Sequence, residues 1–336
     1  MPKISVILPI YNAEDFITDS INSILNQSFR DFELILIDDA SSDRTPQLLT
    51  RISDPRIRRV RHDENRGLIA SLNEGLQFAR GSFIARMDHD DIALPDRFSQ
   101  QLNFLELHQS IGVIGTGYRL IDSAGLVGLT YRPPKTHEEI NWAMSFLCPL
   151  AHPTVMVRRE ILISNGGYSE SAAFAEDYDL WERLSYKVKF ANLPEPLMLL
   201  RKHGRNMTNV WLSENIAVAT KIAARHIGYL LSEEIDGEVA CCIYTQGNAY
   251  PEQLKKACEL IMRLTHNYCE RYPSLRCLIR RDAAIRIALI GLRTRRLRLV
   301  LVAMLQAASL TPFFFVALMI KFKCRLFNQG NATLIG

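Results

Sequence analysis

Three carboxylates stand within four residues in the stretch FIARMDHDDIALPDR (83–97): Asp88, Asp90 and Asp91. Taken singly, such an aspartate is a good helix N-cap, and Asp91 or Asp96 could simply start the helical segment that follows Pro95. Together, Asp88 and Asp90 repel each other and lose hydration unless a cation compensates. Clustered oxygen ligands suit a hard divalent ion, and Mg²⁺ or Mn²⁺ bridging carboxylate to diphosphate is the chemistry such a cluster supports best. A second acidic pair, Glu176–Asp177, opens FAEDYDLWERL (174–184), where Leu180, Trp181 and Leu184 recur on one helical face. On this spacing Trp181 reads as core and Asp179 as a surface or capping carboxylate.

These groups need elements to hold them. ISVILPI (4–10), FELILIDD (32–39), RIRRV (56–60), SFIARMD (82–88) and GVIGT (112–116) are short apolar, β-branched runs that read as strands. Residues 13–27, 43–52, 68–79 and 96–108 lie between them with helical spacing. Strand and helix in alternation imply right-handed crossovers and a mostly parallel sheet. Ligands of such sheets sit outside the carboxyl ends of the strands, where Tyr11–Asn12, Asp38–Asp39 and the Asp88–Asp91 cluster fall. No G-x-G-x-x-G follows the first strand and no phosphate-binding G-x-x-x-x-G-K-[ST] loop occurs. Beyond residue 117 the pattern is irregular, with strands expected at 152–160 and 190–203 around a helix at 176–185. Helices are expected at 211–234, 251–270 and 279–291.

The 336 residues suffice for a catalytic domain with an extension, and 48% hydrophobic content suits a large core. A net charge of +4 argues against a nucleic-acid-binding protein. Seven cysteines without a C-x-x-C pair read as reduced, mostly buried thiols of a cytosolic compartment, and MPKISVILPIYN does not resemble a signal peptide. Charge is concentrated late in the chain. Residues 276–298 hold eight arginines and one acid, Asp282, and the 22 residues 299–320 are uncharged, before Lys321, Lys323 and Arg325. As a helix that run would be about 33 Å long, enough for a bilayer core. A single span would carry the last basic group across, so a re-entrant or interfacial pair kinked near Pro312 on an anionic membrane surface is the alternative. A buried helix completing the fold is a third reading.

The stretches ISVILPIYNAEDFITDSINSILNQSF, ELILIDDASSDRT, NRGLIASLNEGLQFARGSFIARMDHDD, GGYSESAAFAEDYDLWERL and LLRKHGRNMT run in order over residues 3–205. In sequence and spacing they resemble the inverting glycosyltransferases of family 2. The resemblance implies an α/β GT-A fold, a mostly parallel sheet flanked by helices. It implies a catalytic domain at 1–210, with a nucleotide-binding half (1–116) and an acceptor half (117–210). A helical extension (211–292) and a basic, apolar membrane-associated segment (293–327) would follow. By the same resemblance Pro9 and Tyr11 line the nucleotide pocket, and Asp39, beside Asp38, accepts the imino N–H of a pyrimidine base. Asn65, Arg66 and Gly67 lie under base and ribose, with Arg66 free to pair a phosphate. Asp88 takes the ribose hydroxyls, Asp90 the metal, and Asp91 an orienting or capping role, with His89 a solvated spacer. Asp177 is implied as the general base, with Glu176 beside it. His203 matches a late histidine that approaches metal or diphosphate, His152 lines the acceptor side or is a core polar residue, and Arg205 touches phosphate or solvent. The implied reaction moves a sugar from a nucleotide-diphosphate donor, a UDP-sugar by default, to a glycan or polyprenyl-linked hydroxyl. It would occur at the cytoplasmic face of the plasma membrane, for surface polysaccharide. A nucleotidyltransferase making nucleotide-sugars would want a glycine-rich basic loop after the first strand, which LPIYNAED lacks. A membrane-anchored sensor without activity would be expected to have lost Asp90 or Asp177.

Overall fold

The computed structural model describes residues 1–204, 212–245, 250–293 and 297–311. The chain divides into two compact units, Met1–Met144 with Cys148–Val218, and Ser145–Leu147 with Ala219–Gly336. All candidate site residues within the described range lie in the first.

The first unit is built on one sheet. Strands β1 (Ile4–Ile10) and β2 (Phe32–Asp38) are buried along their whole length, which their near-continuous apolar sequences require of strands covered on both faces. They pair in parallel from Ile4↔Phe32 to Ile10↔Asp38. Strand β3 (Ile57–Arg61) adds to β2 and β4 (Phe83–Arg86) adds to β1, both parallel. Helices α1 (Ile17–Leu25), α2 (Thr45–Arg51) and α3 (Leu68–Phe78) make the crossovers. Ile17, Ile21 and Ile24 are the buried stripe of α1, and they join the cluster of Ile4, Val6, Leu8, Leu34 and Leu36. Two polar residues inside these strands, Ser5 and Glu33, are paired with each other: Ser5 Oγ donates to Glu33 Oε1 at 2.6 Å, and Arg80 closes on Glu33 Oε2 at 2.6 Å.

Beyond β4 the expectation of parallel strands gives way to a mixed sheet of order β3-β2-β1-β4-β8-β6-β9-β5, with β7 paired to β6. A two-residue β5 (Ile92–Ala93) leads to α4 (Arg97–Leu107). Strand β6 runs Ile111–Ile121, well past the expected 112–116, and turns back into β7 (Val127–Tyr131), an antiparallel hairpin partner that lies in the irregular stretch. Helix α5 (His137–Met144) follows. The expected strand at 152–160 is a 3-10 turn (His152–Thr154), a three-residue β8 (Met156–Arg158) and the start of α6 (Arg159–Ser164). β8 is antiparallel to both β4 and β6. After α7 (Glu176–Ser185), β9 (Lys189–Arg201) runs parallel to β6 and antiparallel to β5, with register shifts opposite Thr116–Tyr118 where Pro194 and Pro196 cannot donate to the ladder.

The second unit is helical. It holds most of α8 (Leu212–Leu231), then α9 (Gly237–Thr245), α10 (Pro251–Arg271), α11 (Arg276–Arg293) and α12 (Leu297–Leu310). Helices α9 to α12 pack in succession, each on the next. Helix α12 carries the uncharged run from 299 to its end at Leu310, two residues before Pro312, as a residue preceding proline favours. Among the described residues no helix is long and apolar enough to cross a membrane. The remainder of that run, Arg205, and Lys321, Lys323 and Arg325 lie outside them. Six of the seven cysteines are described and all six are free.

Candidate active site at the carboxyl edge of the sheet

The carboxyl ends of β1, β2 and β4 bring Tyr11, Asp38–Asp39 and Asp88 to one edge. Tyr11 is 47% exposed. The loops after β1 and β2 are stitched together: Asn12 N donates to Ser41 Oγ (3.0 Å), Ala13 N to Thr45 Oγ1 (2.8 Å), and Asn12 Oδ1 accepts from Ser42 N (2.9 Å). Asp38 is buried and accepts from Ser41 N at 3.0 Å, with Arg61 Nε 3.5 Å away. Asp39 is buried too. Its Oδ1 accepts from Arg66 N and its Oδ2 from Gly67 N, both at 2.8 Å. Gly67 has φ +86° as the residue before α3, a backbone setting that a side chain would strain.

His62 completes this corner and was not singled out by the sequence. Its Nδ1 lies 2.6 Å from Asp39 Oδ1 and its Nε2 2.7 Å from Glu74 Oε2. The ring thus sits between two carboxylates, a setting that favours its charged, doubly donating form. Burial alone would lower its pKa, but the bonds to Asp39 and Glu74 prevail and raise it. Arg66, expected to be free for a phosphate, instead donates to Glu74 Oε2 at 3.0 Å, with half its side chain in solvent. Asn65 is exposed. Pro9 contributes its carbonyl, which accepts from His89 Nδ1 at 3.4 Å. His89 is therefore half-buried against β1 and not a solvated spacer.

The acidic cluster follows directly. Oxygens of Asp88, Asp90 and Asp91 all lie within 4.8 Å of one another. Each carboxylate has a separate anchor: Arg86 Nη2 at 2.5 Å from Asp88, His203 Nε2 at 2.8 Å from Asp90, and Arg201 N at 2.8 Å from Asp91. Arg201 Nε also donates to Asp90 O (2.9 Å), and His203 stacks on Phe16 at 5.1 Å. Thus the end of β9 closes over the loop after β4 from 110 residues away. Burial pushes the Asp91 carboxyl well above its usual range, and the charges of Asp88 and Asp90 push it further. Asp91 does not cap a helix; Asp96 precedes α4, but its side chain makes no capping bond.

The second acidic pair sits at the start of α7. Glu176 is buried and Asp177 half-buried, with the tyrosine and tryptophan that follow directed into the core. Burial raises Glu176 to about 7, with the neighbouring Asp177 charge adding to the effect, and burial raises Asp177 as well. Asp177 accepts from Tyr178 N (2.7 Å) through Oδ1 and from the Cys148 thiol (3.6 Å) through Oδ2. His152 is buried: its Nε2 meets Tyr168 OH at 2.8 Å and its Nδ1 lies 3.9 Å from Glu176 Oε1. Burial lowers its pKa well below the ordinary value, and the Arg86 charge lowers it further. Trp181 is core, as its spacing implied. Asp179 is not at the surface: it is buried and paired with Arg183 at 2.7 Å.

Residues 5–166 match the profile of glycosyl transferase family 2. An uncharacterized glycosyltransferase of Haemophilus influenzae is 36% identical over 247 residues, covering 69% of this chain and 75% of that protein. The chain belongs to glycosyltransferase family 2. Other family relatives include the putative glycosyltransferase EpsE of Bacillus subtilis, 39% identical over 208 residues (60% of this chain, 73% of EpsE). The O-antigen biosynthesis glycosyltransferase WbnJ of Escherichia coli is 33% identical over 214 residues (61% and 82%). The fold matches S. aureus TarS 1–349 in complex with UDP-GlcNAc, with TM-score 0.58, 19% identity and 91% and 92% of the two chains covered. It also matches the mannosyltransferase PcManGT of Pyrobaculum calidifontis in complex with GDP-Man and Mn²⁺, with TM-score 0.53, 18% identity and 92% and 86% covered. This family-2 chain is thus a glycosyltransferase with the GT-A fold, which leaves aside the nucleotidyltransferase and sensor alternatives.

Proposed function

We propose that this glycosyltransferase is inverting and metal-dependent, moving a sugar from a nucleotide diphosphate, by default a UDP-sugar, to a hydroxyl of a glycan or lipid-linked acceptor. The observation that carries the reading is the presence of two separate acidic groups: a tight aspartate cluster at the sheet edge and a Glu–Asp pair, its glutamate buried, at the start of α7. The cluster suits Mg²⁺ or Mn²⁺, because its ligands are three carboxylates whose oxygens lie within 4.8 Å of one another. Asp88 and Asp90, with His203 alongside Asp90, would hold the ion. When bound, it would neutralise charge on the departing diphosphate. Tyr11 offers an aromatic face to the base. Asp39, with its loop fixed by His62, Arg66 and Gly67, keeps one lone pair of Oδ2 for an N–H of the base. Asp177 takes the proton of the acceptor hydroxyl as that oxygen attacks the anomeric carbon from the face opposite the diphosphate, so configuration inverts in one displacement. A carboxylate whose pKa is raised by burial is a better base for that step than one in water.

The name of the relative WbnJ, of O-antigen biosynthesis, and the nucleotide-sugar complexes of TarS and PcManGT support a role in polysaccharide assembly with such a donor. Work at the cytoplasmic membrane face suits the basic tail and the exposed Leu301, Val302 and Leu305 of α12. The test is incubation of the protein with radiolabelled UDP-sugars, Mn²⁺ and membrane extract. Label is expected in lipid or glycan. Asp177→Asn is expected to lower transfer by about 10²–10⁴-fold while keeping donor binding; unchanged turnover removes the base assignment.

A further inference from the structure

His62 follows β3, and only 3% of its side chain is exposed. Its backbone is fixed to the neighbouring loop, where His62 N donates to Asp38 O at 2.9 Å. The ring enters the space between Asp39, after β2, and Glu74 on α3, 2.6 Å from one carboxylate and 2.7 Å from the other. A neutral imidazole has one N–H and one lone pair, so it would turn a lone pair on one of the two carboxylates. The charged ring meets both with an N–H. Arg66 Nη1 lies on the same Glu74 oxygen at 3.0 Å, so with the ring charged two cations face two anions. Asp39 itself is held in one pose. Its N donates to Ile10 O at 2.8 Å, and the next residue, Ala40, sits at φ +59°, a left-handed setting that an alanine adopts only where its surroundings impose it. A carboxylate offers about four lone-pair sites. Asp39 Oδ1 faces His62 Nδ1 and accepts from Arg66 N, and Oδ2 accepts from Gly67 N. One acceptor site remains, on Oδ2.

We propose that His62, in its charged form, is the positioning residue for base recognition: by saturating Asp39 Oδ1 and tying that carboxylate to α3 through Glu74, it leaves Asp39 a single fixed acceptor, which selects a base with a ring imino N–H. This rests on the nucleotide-sugar reading of the site. Uracil, thymine and guanine carry such an N–H. Cytosine and adenine present a bare ring nitrogen instead, and its lone pair repels a carboxylate. The charge counts as well as the shape, because a bond from a charged donor is about twice as strong as one from a neutral donor. The groups facing the ring are Asp39 from the loop after β2 and Glu74 from α3, with Arg66, in the loop before α3, on the same Glu74 oxygen.

The test is calorimetric binding of UDP, dTDP and GDP against CDP by the full chain, with Mn²⁺ present, in wild type and His62→Leu. The wild type is expected to bind at least one of the first three about tenfold or more tightly than CDP, as a site built around one hydrogen bond does. His62→Leu is expected to lose about tenfold for that nucleotide, the worth of one charge-assisted hydrogen bond, and to bind CDP within about threefold of wild type, so that the preference collapses. A general loosening of the site weakens both nucleotides alike; that result, or an unchanged preference, overturns the proposal. Should the leucine variant not fold, His62→Gln decides, since its amide reaches one carboxylate and carries no charge. A preference as large as the wild type's in His62→Gln overturns the proposal. Nitrogen-15 NMR of the His62 ring, assigned by its loss in the variant, gives a readout without nucleotide. Burial lowers the ring's pKa, but the bonds to Asp39 and Glu74 outweigh it and raise the pKa overall, so at pH 6.5 most rings are expected to carry a proton on both nitrogens. A bare nitrogen in most rings at that pH overturns the proposal. A wild type that binds none of the nucleotides removes the donor reading and the proposal with it, whereas a base preference that ignores His62 removes the proposal alone.

Discussion

Glu176 carries a proton to about pH 7 because burial and Asp177 disfavour its charge. Its folded pKa lies above the unfolded value, so the protonated form stabilises the fold below about 4.5 and that stabilisation is lost as pH rises through 7. Glu176→Gln is therefore expected to melt higher than wild type at pH 8, by on the order of 3 kcal/mol of stability, with the gap closing toward pH 4.5. Equal melting curves at pH 8 would contradict the burial argument. His62 works in the same sense, since its pKa is raised by Asp39 and Glu74. Its contribution is full below about 6.5 and fades as pH rises through the folded value. The melting gap between wild type and His62→Gln should be wider at pH 6 than at pH 9. The aspartates at 88, 90 and 91 and the pair at 176–177 were legible in the sequence because like charges at short spacing need a reason. His62 and Glu74 were not, because each has a meaning only through partners across space: Asp39 for His62 and Arg66 for Glu74.

The parallel half of the sheet was legible because each strand is an apolar run between helices of regular period. Helix α3 shows how closely those layers fit. A Cβ added at Gly75 would lie 2.6 Å from Ile7 Cγ2 and 3.0 Å from Ile37 Cδ1, so Gly75→Val overpacks the face that α3 lays on β1 and β2. A loss of about 1–3 kcal/mol is expected in denaturant unfolding, and a neutral result would mean that the layers are looser than described. The antiparallel half was harder to read. β8 has three residues, too few for a period, and its neighbours are a 3-10 turn and a helix. β7 exposes Val127, Leu129 and Tyr131, so its apolar residues do not mark a core face. β9 contains Pro194 and Pro196, which break the strand pattern, although its pairing with β6 is the longest in the sheet.

The whole chain joins a catalytic unit to a helical one whose last described helix exposes Leu301, Val302 and Leu305. Its tail is basic and apolar in sequence, which suits an anionic membrane surface. The full chain is expected to sediment with phosphatidylglycerol vesicles at low salt, and to remain in solution with phosphatidylcholine vesicles or at about 0.5 M salt. Binding that ignores lipid charge would contradict an electrostatic attachment. The catalytic claim has a more direct measurement: thermal unfolding of the full chain with a panel of UDP-, dTDP- and GDP-sugars, with Mn²⁺ or with chelator, in wild type and Asp90→Ala. A ligand that binds the native state raises the midpoint. The account predicts that at least one nucleotide-sugar raises it in the wild type with Mn²⁺, and neither with chelator nor in Asp90→Ala. A panel that shifts nothing, or a shift that survives both chelation and the loss of Asp90, would contradict it.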